Sequence, residues 1–149
     1  MFSAELPLNQ GFEQNLKKPK NIYSYSAVYF QKEKTGHELG FSRLSDRGFG
    51  PLQTVYSFSM TDKGGGWVGY GLENLISVGK NINLIMSFVP GIYHQGEDHN
   101  LGGWLMFRSG LSFEYRLSDS LAFGISYDHR SSGDIWEYNP GMETLRIQF

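Results

Sequence analysis

From Tyr23 to the last residue the chain keeps returning to a period of two. In LAFGISYDHRS, Leu121, Phe123, Ile125 and Tyr127 fall on one side of an extended backbone, and Ala122, Gly124, Ser126 and Asp128 fall on the other. Successive side chains of a strand point to opposite faces, so strict alternation commits such a segment to a strand with one apolar face. The segment before it behaves alike. Leu105, Phe107, Leu111, Phe113, Tyr115 and Leu117 share one parity, and Arg108, Gly110, Ser112, Glu114 and Arg116 share the other.

The pattern recurs in INLIMSFVPGI through Ile82, Leu84, Met86 and Phe88, in WVGYGLEN through Val68, Tyr70 and Leu72, and in LQTVYSFSM through Leu52, Tyr56, Phe58 and Met60. HELGFSRL carries Leu39 and Phe41, and YSYSAVYF carries Tyr23, Tyr25, Ala27 and Tyr29, against partner faces of glycine and serine. With METLRIQF at the end, this makes eight strands. Aromatic residues at 15% and 19 glycines fit many short strands joined by turns. The expected class is all-β.

The connections alternate in character. QKEKTG, TDKGGG, HQGEDHNLGG and the segment from Gly133 to Pro140 are polar or long, whereas SDRGFG, SVGKN and SDS are short turns. Short turns at one end and longer loops at the other describe an eight-stranded antiparallel up-and-down transmembrane β-barrel. A terminal Phe149 in register with Leu145 and Ile147 also resembles the last strand of bacterial outer-membrane proteins. The 149 residues suit a single barrel domain, with residues 1–22, which include Lys17, Lys18 and Lys20, as an irregular lead-in.

Parity alone does not say which face points inward. A soluble barrel of the lipocalin type would turn the same apolar face toward a ligand. The partner faces here are rich in Gly and Ser and carry Glu73, Arg108, Glu114, Arg116 and Asp128, which suits a tight polar lumen better than a water-facing surface. No run approaches the roughly 18 apolar residues a spanning helix needs, and MFSAELPLNQ lacks the basic start and apolar stretch of a secretory signal. A net charge of −2 with scattered basic residues argues against nucleic acid as a partner, and the absence of cysteine excludes disulfides and thiolate zinc sites.

The end of the chain breaks the apolar pattern. His129 and Ser131 continue the parity of Leu121 to Tyr127, and Glu143 shares the parity of Leu145, Ile147 and Phe149. In a hairpin symmetric about Trp136, residues 129 and 143 each lie seven positions from the centre and face one another. Directly opposed residues have Cβ atoms about 4.5–5.5 Å apart, within reach of a carboxylate–imidazole hydrogen bond. A serine hydroxyl needs a base to take its proton, and the base needs a third group to fix its tautomer. Ser131, His129 and Glu143 fill those roles in that order. Backbone N–H groups near Ser132 and Gly133, or the Asn139 side chain, are the candidate oxyanion donors. A His-x-Ser at a strand end is also an ordinary polar terminus, but ionisable groups on a lipid-facing wall are costly, which makes function the default explanation.

These residues carry a family resemblance. His129-x-Ser131, a small residue and Gly133, then Asn139-Pro140-Gly141 and Glu143, look like the signature of the PagL family of outer-membrane lipid A 3-O-deacylases. Similarity extends upstream through NLGGWLMFRSGLSFEYRLSDSLAFGISYDH, and Ser132 stands where the family commonly has Asn. The resemblance implies a Ser–His–Glu triad of Ser131, His129 and Glu143 on the outside of an eight-stranded barrel near the extracellular leaflet. It implies lipid A or lipopolysaccharide as substrate, membrane lipids as surroundings, hydrolysis of the 3-position acyl ester, and no cofactor or metal. Two other readings stay open: a non-catalytic barrel serving envelope structure or adhesion, and the soluble ligand-binding barrel.

Other signals are weaker. His94, Glu97, Asp98 and His99 in HQGEDHN are residue types that ligate metal, but a polar loop of this kind is more often a solvated turn. Arg130 and Arg146 could meet lipid A phosphates, although parity sends both to the face opposite the triad, and Arg43 is a third candidate. Trp136 and Tyr138 read as an interfacial anchor or as loop packing.

Overall fold

A computed structural model describes residues 19–149. The alternating segments form β1 (Lys20–Phe30), β2 (Glu33–Phe49), β3 (Leu52–Thr61), β4 (Gly66–Ser77), β5 (Ile82–His94), β6 (Leu105–Arg116), β7 (Ala122–Ser131) and β8 (Met142–Gln148). Each strand pairs antiparallel with the next, and β1 pairs with β8 from Ser24↔Gln148 to Tyr29↔Glu143, closing the barrel. The architecture is the one expected. Closure leaves no sheet edge, so every strand can satisfy its backbone within the wall.

Strand parity resolves in one direction. Tyr23, Leu39, Phe58, Phe88, Phe113 and Ile125 are all exposed on the outer wall, while Ser24, Ser42, Ser57, Glu38, Arg108 and Asp128 are buried in the lumen. A continuous apolar exterior of this kind would aggregate in water and matches a lipid surround. The soluble reading, with apolar residues lining an internal ligand cavity, is therefore overturned.

The lumen of an eight-stranded barrel is just wide enough to be filled by side chains. Here the filling is charged. Arg108 donates to Glu38 at 3.2 Å and to Asp128 at 3.1 Å, Arg130 donates to the other oxygen of Glu38 at 3.0 Å, and Arg146 Nε lies 3.3 Å from Asp128. The Trp67 ring has the Arg108 and Arg130 guanidinium groups each 5.3 Å from its centroid. Nearer the short turns, Glu114 pairs with Lys20 and accepts from Asn83. Buried charges need partners of this quality, because removing one leaves the other desolvated and unpaired.

Three boundaries differ from the sequence expectation. β1 begins at Lys20, so residues 20–22 belong to the wall rather than to a lead-in; residues 1–18, the remainder of the expected lead-in, lie outside the described residues. QKEKTG is not a loop either. Only Gln31 and Lys32 turn, with φ of 52° and 68°, the left-handed pair of a two-residue hairpin turn, and the strand resumes at Glu33. At the opposite end β2 runs on to Phe49 with a register shift between Leu44 and Gly48.

Candidate active site

The long connections, 95–104 and 132–141, leave the same end of the barrel. β7 approaches that end with the sequence Asp128-His129-Arg130-Ser131. Alternation sends Asp128 and Arg130 into the lumen network and turns His129 and Ser131 to the outer wall. On β8, Glu143 stands directly opposite His129, the pairing that the hairpin symmetry about Trp136 predicts. The two side chains meet: His129 Nδ1 and Glu143 Oε1 are 3.0 Å apart.

This pair is accessible, with side-chain exposures of 45% for His129 and 28% for Glu143, and it sits on a predominantly apolar wall. With the Nδ1 proton donated to the carboxylate, Nε2 is the ring's basic nitrogen. Ser131 lies on the same face one pleat toward the loops, partly exposed, and is opposite Phe107 on β6. Alternate residues on a strand are about 7 Å apart along the backbone, a span that two side chains leaning together can bridge. The structure shows no hydrogen bond between Ser131 and the ring, so it brings His129 and Glu143 together and leaves Ser131 beside them.

The far edge of the imidazole meets Gly141. This glycine has φ of 73°, and a Cβ placed on it would lie 2.8 Å from His129 Cε1 and 3.4 Å from Nε2. The ring is thus bounded by the Glu143 carboxylate at Nδ1 and by a bare stretch of backbone at the Nε2 edge. Gly141 falls inside the motif read from the sequence, but its contact with the ring depends on how the loop folds back.

The loop after Ser131 organises the candidate oxyanion donors. The Ser132 side chain is fully buried and its hydroxyl has no partner among the described residues, so that residue offers the outer face only backbone. Its N–H is already donated to Asn139 Oδ1 at 2.9 Å, and Asn139 Nδ2 donates to Asp134 Oδ1 at 3.1 Å. Ser132 N–H is spent, contrary to the sequence expectation for it. Gly133, at φ of 61°, keeps an N–H outside these bonds, and Asn139 keeps its second amide hydrogen. The loop itself leans on its neighbour: Trp136 Nε1 donates to Leu105 O at 3.2 Å, its ring lies where a Cβ on Gly103 would fall, and Trp104 packs 6.1 Å away. Trp136 is therefore a loop-packing residue, whereas Tyr138 is exposed.

The two flanks of the pair differ. Toward β5 and β6, Phe107 stacks on Phe88 with centroids 5.6 Å apart. Toward β1, Glu143 is opposite Tyr29, and Tyr29 is opposite Lys34 on β2. None of these neighbours could be assigned from one strand's pattern: the aromatic stack joins β5 to β6, and Tyr29 reaches Glu143 only because the first and last strands pair.

The remaining sequence candidates are elsewhere. Arg130 and Arg146 belong to the lumen, and Arg43 lies on the outer wall toward the short-turn end of β2, donating to Asn21 at 2.7 Å, so none of the three borders the His129–Glu143 pair. In the 95–104 connection, Asp98 is buried and accepts the His99 N–H, while the His99 ring stacks on Phe30 at 4.0 Å. Among the described residues no group of three His, Asp or Glu side chains is placed to hold a metal ion.

Comparison with known proteins gives three results. A family model described as lipid A 3-O-deacylase (PagL) matches residues 35–149, which contain the whole candidate site. The crystal structure of the outer membrane enzyme PagL superposes with a TM-score of 0.63 at 13% identity, covering 85% of this chain and 96% of that one. A de novo designed transmembrane β-barrel gives 0.60 at 11% identity, covering 89% of this chain and 97% of the design. At such identities the two structures speak for the fold alone. No curated protein sequence matches the chain.

Proposed function

The chain belongs to the PagL family of lipid A 3-O-deacylases, and from that premise we propose that it hydrolyses the 3-position acyl ester of lipid A with Ser131, His129 and Glu143 as its triad. The protein is a bacterial outer-membrane barrel. The observation that carries the reading is the His129–Glu143 pair at 3.0 Å on the lipid-facing wall, with Ser131 on the same face. An exposed polar pair of this kind contributes about 0–1 kcal/mol in water, and on a lipid-facing wall it costs more to keep, so fold stability is a poor reason for it. A membrane-embedded ester is a good one.

In the proposed reaction His129 Nε2 takes the proton of Ser131 as Oγ attacks the ester carbonyl. Glu143 holds the ring through Nδ1 and stabilises the imidazolium that forms. The oxyanion of the tetrahedral intermediate is met by the Gly133 N–H and the free amide hydrogen of Asn139. Collapse breaks the bond between the acyl carbon and the sugar's 3-oxygen, which leaves with the proton from His129. Water, deprotonated by the same nitrogen, then attacks the acyl-enzyme, releases a 3-hydroxy fatty acid and restores Ser131. The stacked Phe88 and Phe107 beside Ser131 form an apolar wall suited to the acyl chain.

The test is mass spectrometry of lipid A after incubation in detergent with the refolded barrel and with its Ser131→Ala variant. Loss of one hydroxyacyl mass with the parent, and a drop of about 10³-fold or more in the variant, is expected for removal of a triad nucleophile. Turnover retained by Ser131→Ala would remove the serine from the mechanism. An unchanged lipid with both folded proteins would favour a non-catalytic barrel.

A further inference from the structure

The outer wall around the triad is divided by charge. Following the strand register, Ser109, His129, Glu143, Tyr29 and Lys34 form one row on a single face across β6, β7, β8, β1 and β2. Neighbouring strands are about 4.8 Å apart, so the Lys34 backbone stands about 10 Å from that of Glu143, and its side chain extends several ångströms further. Lys32 occupies the turn just above, at φ of 68°. Both lysines are exposed, and among the described residues neither ammonium group has an ion-pair or hydrogen-bond partner. Glu33, between them, alternates away from the Lys34 face. On the other side of the triad the 132–141 loop exposes Asp134 and Glu137, and the wall beneath carries Phe88 and Phe107.

A lipid whose scissile ester joins an apolar chain to a phosphorylated sugar has two chemically unlike ends. The acyl end fits the aromatic flank, while the acidic loop on that side repels phosphate. Across Glu143, on the β1–β2 hairpin, Lys32 and Lys34 are cations without a partner among the described residues. We propose that Lys32 and Lys34 form a subsite for a phosphate of the sugar head, fixing the substrate's direction so that the sugar lies over Tyr29 and the acyl chain over Phe107. The proposal rests on the deacylase reading of the same site. Lys34 is a specificity-determining residue in this arrangement, acting on which lipid is held and in what orientation.

The test is binding rather than turnover. The refolded S131A barrel, which leaves its ligand intact, is titrated with detergent-dispersed bisphosphorylated lipid A, with the same lipid after dephosphorylation, and with phosphatidylglycerol. Each titration is repeated with K32E/K34E and with K32Q/K34Q, after heat-modifiable migration has shown that the barrels are folded. Charges near an anionic surface act strongly and are screened by salt, so K32E/K34E is expected to weaken binding of the bisphosphorylated lipid by about tenfold or more, with a smaller loss for the glutamines. The dephosphorylated lipid and phosphatidylglycerol should bind the parent and both variants alike. Unchanged affinity for bisphosphorylated lipid A, an equal loss for the dephosphorylated lipid, or an equal loss for phosphatidylglycerol each overturns the subsite. Phosphate-dependent binding in a barrel whose Ser131 form leaves lipid A intact would instead keep the subsite and sink the deacylase reading.

Discussion

Strand β7 carries two polar clusters on its opposite faces, and they share residue types but little else. Asp128 and Arg130 point inward, where carboxylates and guanidinium groups from β2, β6, β7 and β8 lock together with exposures of 2% for Glu38 and Asp128. His129 and Ser131 point outward, where a single carboxylate from β8 meets a ring that is almost half exposed. The carboxylates of the inner cluster are each paired several times: Asp128 alone is within reach of Arg108, Arg146, Ser126 and Thr144. Among the described residues, the outer pair leaves Nε2 and the Ser131 hydroxyl free of other hydrogen bonds. Buried charge held by several opposite partners keeps a barrel together, and charge with one side open is available for chemistry.

That contrast is broken most directly by removing one carboxylate from each cluster. Asp128→Ala strands buried arginines and is expected to cost about 3–5 kcal/mol, visible as a lowered midpoint in urea-driven unfolding from lipid vesicles. Glu143→Ala should leave that midpoint within about 0.5 kcal/mol while reducing deacylation by a factor on the order of 10² or more. Equal loss of stability in both variants would mean that the outer pair is structural after all.

A smaller effect sharpens the boundary of the outer site. Gly141→Ala introduces a Cβ 2.8 Å from His129 Cε1 at a positive φ. The strain is about 1 kcal/mol, and the displaced ring should lower kcat roughly tenfold with KM little changed. A fall in KM-dependent binding with kcat intact would place Gly141 in substrate contact instead.

The smallest effect concerns Ser132. Its hydroxyl is buried without a partner among the described residues, so Ser132→Ala is expected to be neutral or stabilising by up to about 1 kcal/mol, with deacylation unaltered because the N–H to Asn139 is retained. Loss of activity in this variant would show that the hydroxyl itself supports the site.

The sequence read alone went far for this fold, for a particular reason. A period of two needs no knowledge of distant residues, so the eight strands and the opposition of residues 129 and 143 follow from local pattern and hairpin arithmetic. It misread QKEKTG because polarity marks a loop only on average. A two-residue turn with left-handed backbone at Gln31 and Lys32 let β2 begin within that segment, and so placed Lys34 on the wall. It also counted Ser132 among the oxyanion donors, since nothing local shows that Asn139 folds back to take that N–H.

What the sequence by itself determined, then, is the strand count, the alternation, and the identity of the residues interrupting the apolar face near the chain's end. Which face meets lipid was decided only by the closed barrel, because parity is symmetric until the strands curl around one side. The partners of Glu38, whose arginines lie 70 and 92 residues away, and the approach of Tyr29 and Lys34 to Glu143 were likewise decided by closure. Pairing between the first strand and the last joins residues whose separation along the chain leaves no local trace, and the candidate site sits on that seam.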